Sequence, residues 1–190
     1  MKFIIIGLHS SGKQAIANDL RRLGVNVGRI FRSTETLKPS TYSLSEVVYC
    51  NDDINTLFET QSYIFMKQST KNTVPYFEGL SSYEFENNDV FIMSPDQFNL
   101  VPEFPSNVCF VWLDNPQNTR RLTHTTENRK YDFMDQERVE SSDLKDFTER
   151  VYLNDILYFN NEEPSRISAI VYTLVKYPEL YDFFKERFNS

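Results

Sequence analysis

The first fourteen residues, MKFIIIGLHSSGKQ, constrain this chain more than any other stretch. The run Phe3-Ile4-Ile5-Ile6 is aromatic and β-branched, too short to span a membrane, and suited to a parallel strand buried on both faces. It stops at Gly7, and a second glycine, Gly12, precedes Lys13. The segment Gln14 to Leu23 then reads as a helix. A strand, a loop bracketed by glycines and a helix N-terminus together form an anion cradle, because backbone N–H groups and the positive end of the helix dipole face the same point. Lys13 stands where its charge reaches the outer phosphates of a nucleoside triphosphate. The match to G-x-x-x-x-G-K-[ST] fails only at its last position, where Gln14 replaces the hydroxyl that ordinarily ligates magnesium. Magnesium keeps several waters and few protein ligands, so phosphates, water and a carboxylate elsewhere can still hold it.

The other 176 or so positions must supply a core, and 190 residues that are 40% hydrophobic suffice for one α/β domain with a small inserted lobe. A net charge of −7 argues against broad binding to nucleic acid or to anionic membranes. A small anionic ligand held by a few placed cations suits it better. Cys50 and Cys109 are far apart, and Cys109 sits inside the apolar run Val108 to Leu113, so no disulfide framework is indicated. The amino terminus does not read as a signal peptide and no run has the length of a transmembrane helix, so a cytoplasmic protein is expected.

Along the chain, Gly24 to Phe31 reads as a turn and a second short strand, and the polar stretch from Arg32 starts an insertion reaching to about residue 88. Within it, Asn51 to Phe58 suggests a short capped helix, and Tyr63 to Met66 and Pro75 to Phe77 suggest strands of a small sheet. Ser81 to Glu86 begins with capping residues and reads as a helix. Buried-type strands follow at Asp89 to Ser94 and Asn107 to Leu113, ending at Asp96 and Asp114. From about 120 to 142 the chain is polar and punctuated by Arg120, Arg121, Arg129 and Arg138, which makes it a candidate lid. A helix around Leu144 to Asn154, a strand Ile156 to Asn160 and helices at Pro164 to Tyr177 and Pro178 to Phe188 complete the chain. Strands alternating with helices predict a parallel sheet whose ligands gather at the strands' carboxyl ends.

This order resembles the nucleoside monophosphate kinases, and within them the guanylate kinase branch. The likeness rests on Gly7-Leu8-His9-Ser10-Ser11-Gly12-Lys13, on Thr36-Leu37-Lys38-Pro39 where that family has a Thr-Arg-x-Pro-Arg type of run, on Tyr76-Phe77-Glu78-Gly79 near its Tyr-Tyr-Gly, on Phe91 to Asp96, and on Ile156 to Asn161. The loop, with Gln14, also resembles that of some phage deoxynucleotide kinases, in which a residue other than Ser or Thr follows the lysine. The resemblance implies a three-layer α/β fold of the P-loop kinase type: a parallel-sheet core at 1–31 and 89–190, an acceptor-binding lobe and a lid. It implies ATP and Mg2+ as cofactors, bound by Gly7, His9, Ser10, Ser11, Gly12, Lys13, Gln14 and Asn160, and a nucleotide acceptor bound by Arg32, Thr36, Lys38 and Tyr76. Leu37 and Ser40 stand where the family places two arginines that clamp the acceptor's phosphate, so the acceptor site departs from a standard GMP site.

Phosphoryl transfer needs positioning and charge stabilisation, and the parts expected to supply them are Lys13, Asp96, Arg129 and Arg138. Asp96 either orients the acceptor or metal-bound water, or caps a helix at Gln97-Phe98. Tyr76 either stacks on the acceptor base or packs in the core. Three functions fit: ATP-dependent transfer to a nucleoside or deoxynucleoside monophosphate; transfer to a hydroxyl of a modified pyrimidine nucleotide or DNA base, where nucleic acid would enter as substrate; and a guanylate-kinase-like binding module that has lost catalysis.

Overall fold

The computed structural model describes residues 1–8, 10–34, 46–50, 62–71, 74–114, 147, 150 and 156–188. Two four-stranded sheets organise them. The first is parallel throughout, in the order β6-β1-β7-β8, and is built from β1 (Lys2–Gly7), β6 (Val90–Met93), β7 (Val108–Asp114) and β8 (Ile156–Asn160). The second, in the order β3-β2-β5-β4, joins β2 (Ile30–Thr34), β3 (Glu46–Cys50), β4 (Tyr63–Lys71) and β5 (Val74–Ser81). Within it, β2 and β3 run parallel while β5 is antiparallel to both β2 and β4.

Side chains of the parallel sheet alternate between two cores, as the period of two requires. Phe3, Ile5, Val111, Leu113, Leu157 and Phe159 face one side, where they bury Ile16, Ala17 and Leu20 of α1 (Lys13–Arg22) and Ile167, Val171 and Leu174 of α4 (Pro164–Lys176). Tyr181, which opens α5 (Tyr181–Phe188) after a 3₁₀ turn at Pro178–Leu180, joins the same core. Ile4, Ile6, Phe91, Met93, Phe110 and Trp112 face the other side. There they meet Phe85 of α2 (Ser82–Asn87), Phe98 of α3 (Pro95–Leu100), Phe147, and the apolar face of the second sheet through Ile30, Phe65 and Leu80. The result is a three-layer α/β arrangement with β1 at its centre.

The strand expected at Gly24 to Phe31 is relocated. Val27 makes only a single parallel bridge to Val90 at the edge of the first sheet, and the strand proper begins at Ile30 in the second sheet. Val25 and Val27 belong to one core and Ile30 to the other. Gly28 makes the crossing feasible: any Cβ there would meet the Phe91 ring, while its N–H donates to Val90 O at 2.9 Å. The expected helix at 51–58 and the lid at 120–142 lie outside the described residues. The helices expected at Ser81 to Glu86 and after Pro164 form, the former capped by Ser81 Oγ, which accepts from Glu84 N at 3.2 Å. No helix among the described residues is long and apolar enough to cross a membrane.

Phe98 is the hub of the second core. It is fully buried, and its ring lies about edge-on to Phe110 and Phe147 and stacked on Phe104, with the Arg150 guanidinium 4.9 Å from its centre. Arg150 also donates to Phe98 O at 3.0 Å and Val101 O at 2.6 Å, satisfying carbonyls at the end of α3. Phe98→Ala removes that hub, and the expected loss is about 3–5 kcal/mol of unfolding free energy, measured by urea denaturation.

Candidate phosphate-binding site

The loop between β1 and α1 carries out the turn that its two glycines foreshadow. Ser10 (φ 58°) and Gly12 (φ 91°) both adopt left-handed backbone conformations, and Ser11 N donates to Leu8 O at 3.2 Å. Alternation of this kind curls successive N–H groups inward into a concavity suited to an anion. Gly7 is required for a different reason: a Cβ there would run into Ser11 Oγ and lie 3.1 Å from Leu113 Cβ, so the loop can fold tightly against β7 only without one. Helix α1 starts directly from Gly12 with no acidic residue in its first turn, which leaves the positive end of its dipole unopposed.

Lys13 bends back over this loop. Its Nζ donates to Gly7 O at 2.6 Å, Leu8 O at 2.5 Å and Ser11 Oγ at 3.3 Å, so the ammonium is held against the end of β1 and the loop that follows it. Ser10 Oγ is buried and has no hydrogen-bond partner among the described residues. A buried unpaired hydroxyl is costly, and a phosphate oxygen is a partner it can take. The residues of the loop therefore fit a phosphate. Gln14 directs its side chain along the helix, where Nε2 donates to Asn18 Oδ1 at 3.1 Å. No group of three or more His, Cys, Asp or Glu side chains gathers among the described residues. Magnesium commonly keeps several waters and few protein ligands, so phosphate oxygens, water and single carboxylates would suffice to hold one at this edge.

Two carboxylates stand at the carboxyl edge of the sheet. Asp96 lies in the first turn of α3 behind Ser94, and Ser94 is the residue that caps that helix: its N–H donates to Gln97 Oε1 at 3.0 Å. Of the two roles open to Asp96, capping thus falls to Ser94. Asp96 instead accepts from Ser94 Oγ and pairs with Lys67 Nζ of β4 at 3.2 Å. Asp114 closes β7, in register with Asn160, and accepts from the Tyr158 hydroxyl. Its carbonyl accepts from Asn161 N at 3.0 Å, where Asn161 turns β8 away through a left-handed conformation (φ 53°).

Of the residues singled out from sequence, Gly7, Ser10, Ser11, Gly12, Lys13 and Gln14 come together in the loop, and Asp96 and exposed Asn160 stand on the same edge of the sheet. Arg32 and Tyr76 occupy positions in β2 and β5 of the second sheet. His9, Thr36, Lys38, Arg129 and Arg138 lie outside the described residues. Lys67 and Tyr158 are not marked as site residues by the sequence, and Glu78 only as part of the Tyr76–Gly79 run. Tyr158 sits in an apolar strand and reads as core; Lys67 and Glu78 are single charges in strand patterns, and only pairing between strands reveals their neighbours.

No protein family matches the sequence, and no curated protein does. Solved structures do match the fold. A guanylate kinase from Anaplasma phagocytophilum superposes with a TM-score of 0.59 over 95% of this chain and 86% of that one, at 12% sequence identity. The chain has a fold like that of a guanylate kinase. A sugar kinase from Janibacter also aligns, with a TM-score of 0.46 at 12% identity over 95% of this chain and 96% of that one.

Burial, the hydrogen bond to Asp114 and that carboxylate's charge push the Tyr158 phenol up to about 12. A phenol that is a weaker acid when folded contributes stability fully below the ordinary tyrosine value of about 10, and loses it as pH rises through about 12. The unfolding free energy of the wild type should consequently fall more steeply between about pH 10 and 12 than that of Tyr158→Phe, as read by denaturant titration at a series of pH values.

Proposed function

We propose that this chain is an ATP-dependent kinase that transfers the γ-phosphoryl group to a nucleoside or deoxynucleoside monophosphate. The observation that carries the reading is the loop from Gly7 to Lys13: two left-handed turns, an unpartnered buried hydroxyl and an ammonium drawn back against the loop, all at the carboxyl end of the central strand. Its backbone donors and Ser10 hold the triphosphate, and Lys13 leaves the Gly7 and Leu8 carbonyls to meet the outer phosphates. Asn160, at the end of β8, serves the base of the same nucleotide. The acceptor lies between the lobe at 32–88, with Arg32, Thr36, Lys38 and Tyr76, and the strand end at Asp96. Arg129 and Arg138, from a lid at about 120–142, neutralise the transferring group. Magnesium, when bound, supplies charge neutralisation between the donor's phosphates, with Asp96 the carboxylate nearest in kind to the task.

Labelled ATP offered with a panel of ribo- and deoxynucleoside monophosphates, and in parallel with hydroxymethylated pyrimidine nucleosides and DNA, tests this directly. Transfer to a monophosphate supports the reading. Transfer to the hydroxyl acceptors alone replaces it with the second kinase reading, and failure to bind ATP with magnesium leaves a binding module.

Two further outcomes are specific to residues. Lys13→Ala should lower kcat by roughly 100-fold or more, the scale of losing one charge-stabilising donor, while circular dichroism stays unchanged. Arg129→Ala and Arg138→Ala should each lower kcat with little change in ATP affinity, since arginines on a lid act once it has closed over the developing charge. Changes confined to the KM for ATP would make that segment a binding edge.

A further inference from the structure

A line of alternating charge runs from β5 of the second sheet to the carboxyl edge of the first. Glu78, in β5, is only 7% exposed, and a carboxylate is rarely so buried unless cations accompany it. Register places one of them: Lys67 of β4 is directly opposite Glu78. Directly opposed residues share a face. Further along that same face Leu80 lies opposite Phe65, both buried in the core against the parallel sheet. Glu78 and Lys67 thus mark where the apolar face of the lobe gives way to charge. Lys67 continues the row out of the sheet to Asp96 Oδ2, 3.2 Å away, with the two side chains 37% and 27% exposed.

An ion pair this open to water adds little to stability. It does place an accessible ammonium, backed by a buried carboxylate, beside β6, the neighbour of the strand that leads into the phosphate loop. We propose that Lys67 is the cation that receives the acceptor's phosphate: without acceptor it rests on Asp96, and it exchanges that carboxylate for the phosphate of the incoming nucleoside monophosphate. The inference rests on the kinase reading and names a residue that reading lacks. A dianionic phosphate is a stronger partner for an ammonium than one carboxylate, so the exchange runs toward the substrate. The need is real, because Leu37 and Ser40 bring no charge to the segment where arginines would otherwise clamp that phosphate. Glu78, opposite Lys67 in the ladder, leaves a carboxylate beside that strand position when the ammonium quits Asp96.

Calorimetric binding of the best monophosphate acceptor and of the matching nucleoside, alongside kinetics, gives a test with opposite signs. Lys67→Gln should weaken monophosphate binding at least about tenfold, with nucleoside and ATP binding unchanged, and Lys67→Arg should restore most of it. Asp96→Asn, which removes the competing anion, should tighten monophosphate binding a few-fold even as kcat falls. If both Lys67→Gln and Asp96→Asn weaken binding, the pair is a structural latch and the proposal fails. It fails equally if Lys67→Gln weakens the nucleoside as much as the monophosphate, for the cation then reads the base. Because the readout is equilibrium binding, a wild type that binds monophosphates but transfers nothing from ATP would defeat the kinase reading and leave the Lys67 result standing on its own; no monophosphate binding at all would overturn both.

Discussion

The close approach of β1 to β7 at Gly7 is the constraint from which the rest of this structure follows. A parallel strand flanked on both sides and buried on both faces has only its carboxyl end at which to present chemistry. There the chain must reverse into α1 within a few residues, and the absence of a Cβ at Gly7 lets Ser11 fold back against it. Left-handed turns at Ser10 and Gly12 complete the reversal and aim backbone donors into one concavity. Lys13, the first residue of α1, is thereby brought back over Gly7 and Leu8. Substituting a side chain at Gly7 would therefore disturb the fold and the site at once, since the same contact sets both.

Around that centre, apolar and polar groups are segregated along the strands rather than between domains. Within the parallel sheet, period-two alternation divides Phe3 and Ile5 from Ile4 and Ile6, so each strand contributes to two cores. Toward the carboxyl edge the same alternation carries past Phe110 and Trp112 to Asp114, and the apolar run ends in an acceptor that Tyr158 satisfies. The second sheet shows the same grading, from Leu80 and Phe65 in the core to Glu78 and Lys67 at the edge. Charge gathers where the two gradients meet. Arg150 is a counterexample: burial lowers its pKa, and its guanidinium is committed to the carbonyls that end α3.

Much of this was legible in the chain because it is local. The β1 run, the glycine spacing, the Ser81 cap and Pro164 at the start of α4 each act over a few residues, and each formed as read. The strand at Gly24 to Phe31 was not placed correctly, since its apolar residues serve two cores. Nothing in Val25, Val27, Ile30 and Phe31 reveals that Gly28 slips past the Phe91 ring and hands the chain from one sheet to the other. Asp96 was legible as a residue at a strand end, either capping a helix or orienting acceptor or metal-bound water; that Ser94 and Gln97 form the cap and that Asp96 pairs with a lysine from another sheet was not.

The sequence by itself determined the glycine-bracketed loop, the central strand and the alternation of strands with helices, since these depend on steric and hydrogen-bonding preferences expressed over neighbouring residues. Tertiary structure alone decided which charges meet. Lys67 reaches Asp96 and Tyr158 reaches Asp114 across long stretches of chain, and Glu78 is buried opposite Lys67 only because β5 and β4 pair in one register. A shift of one residue would turn each of those side chains to the opposite face. Register is fixed by the whole apolar face of each sheet seeking burial, and no short window of sequence contains that information.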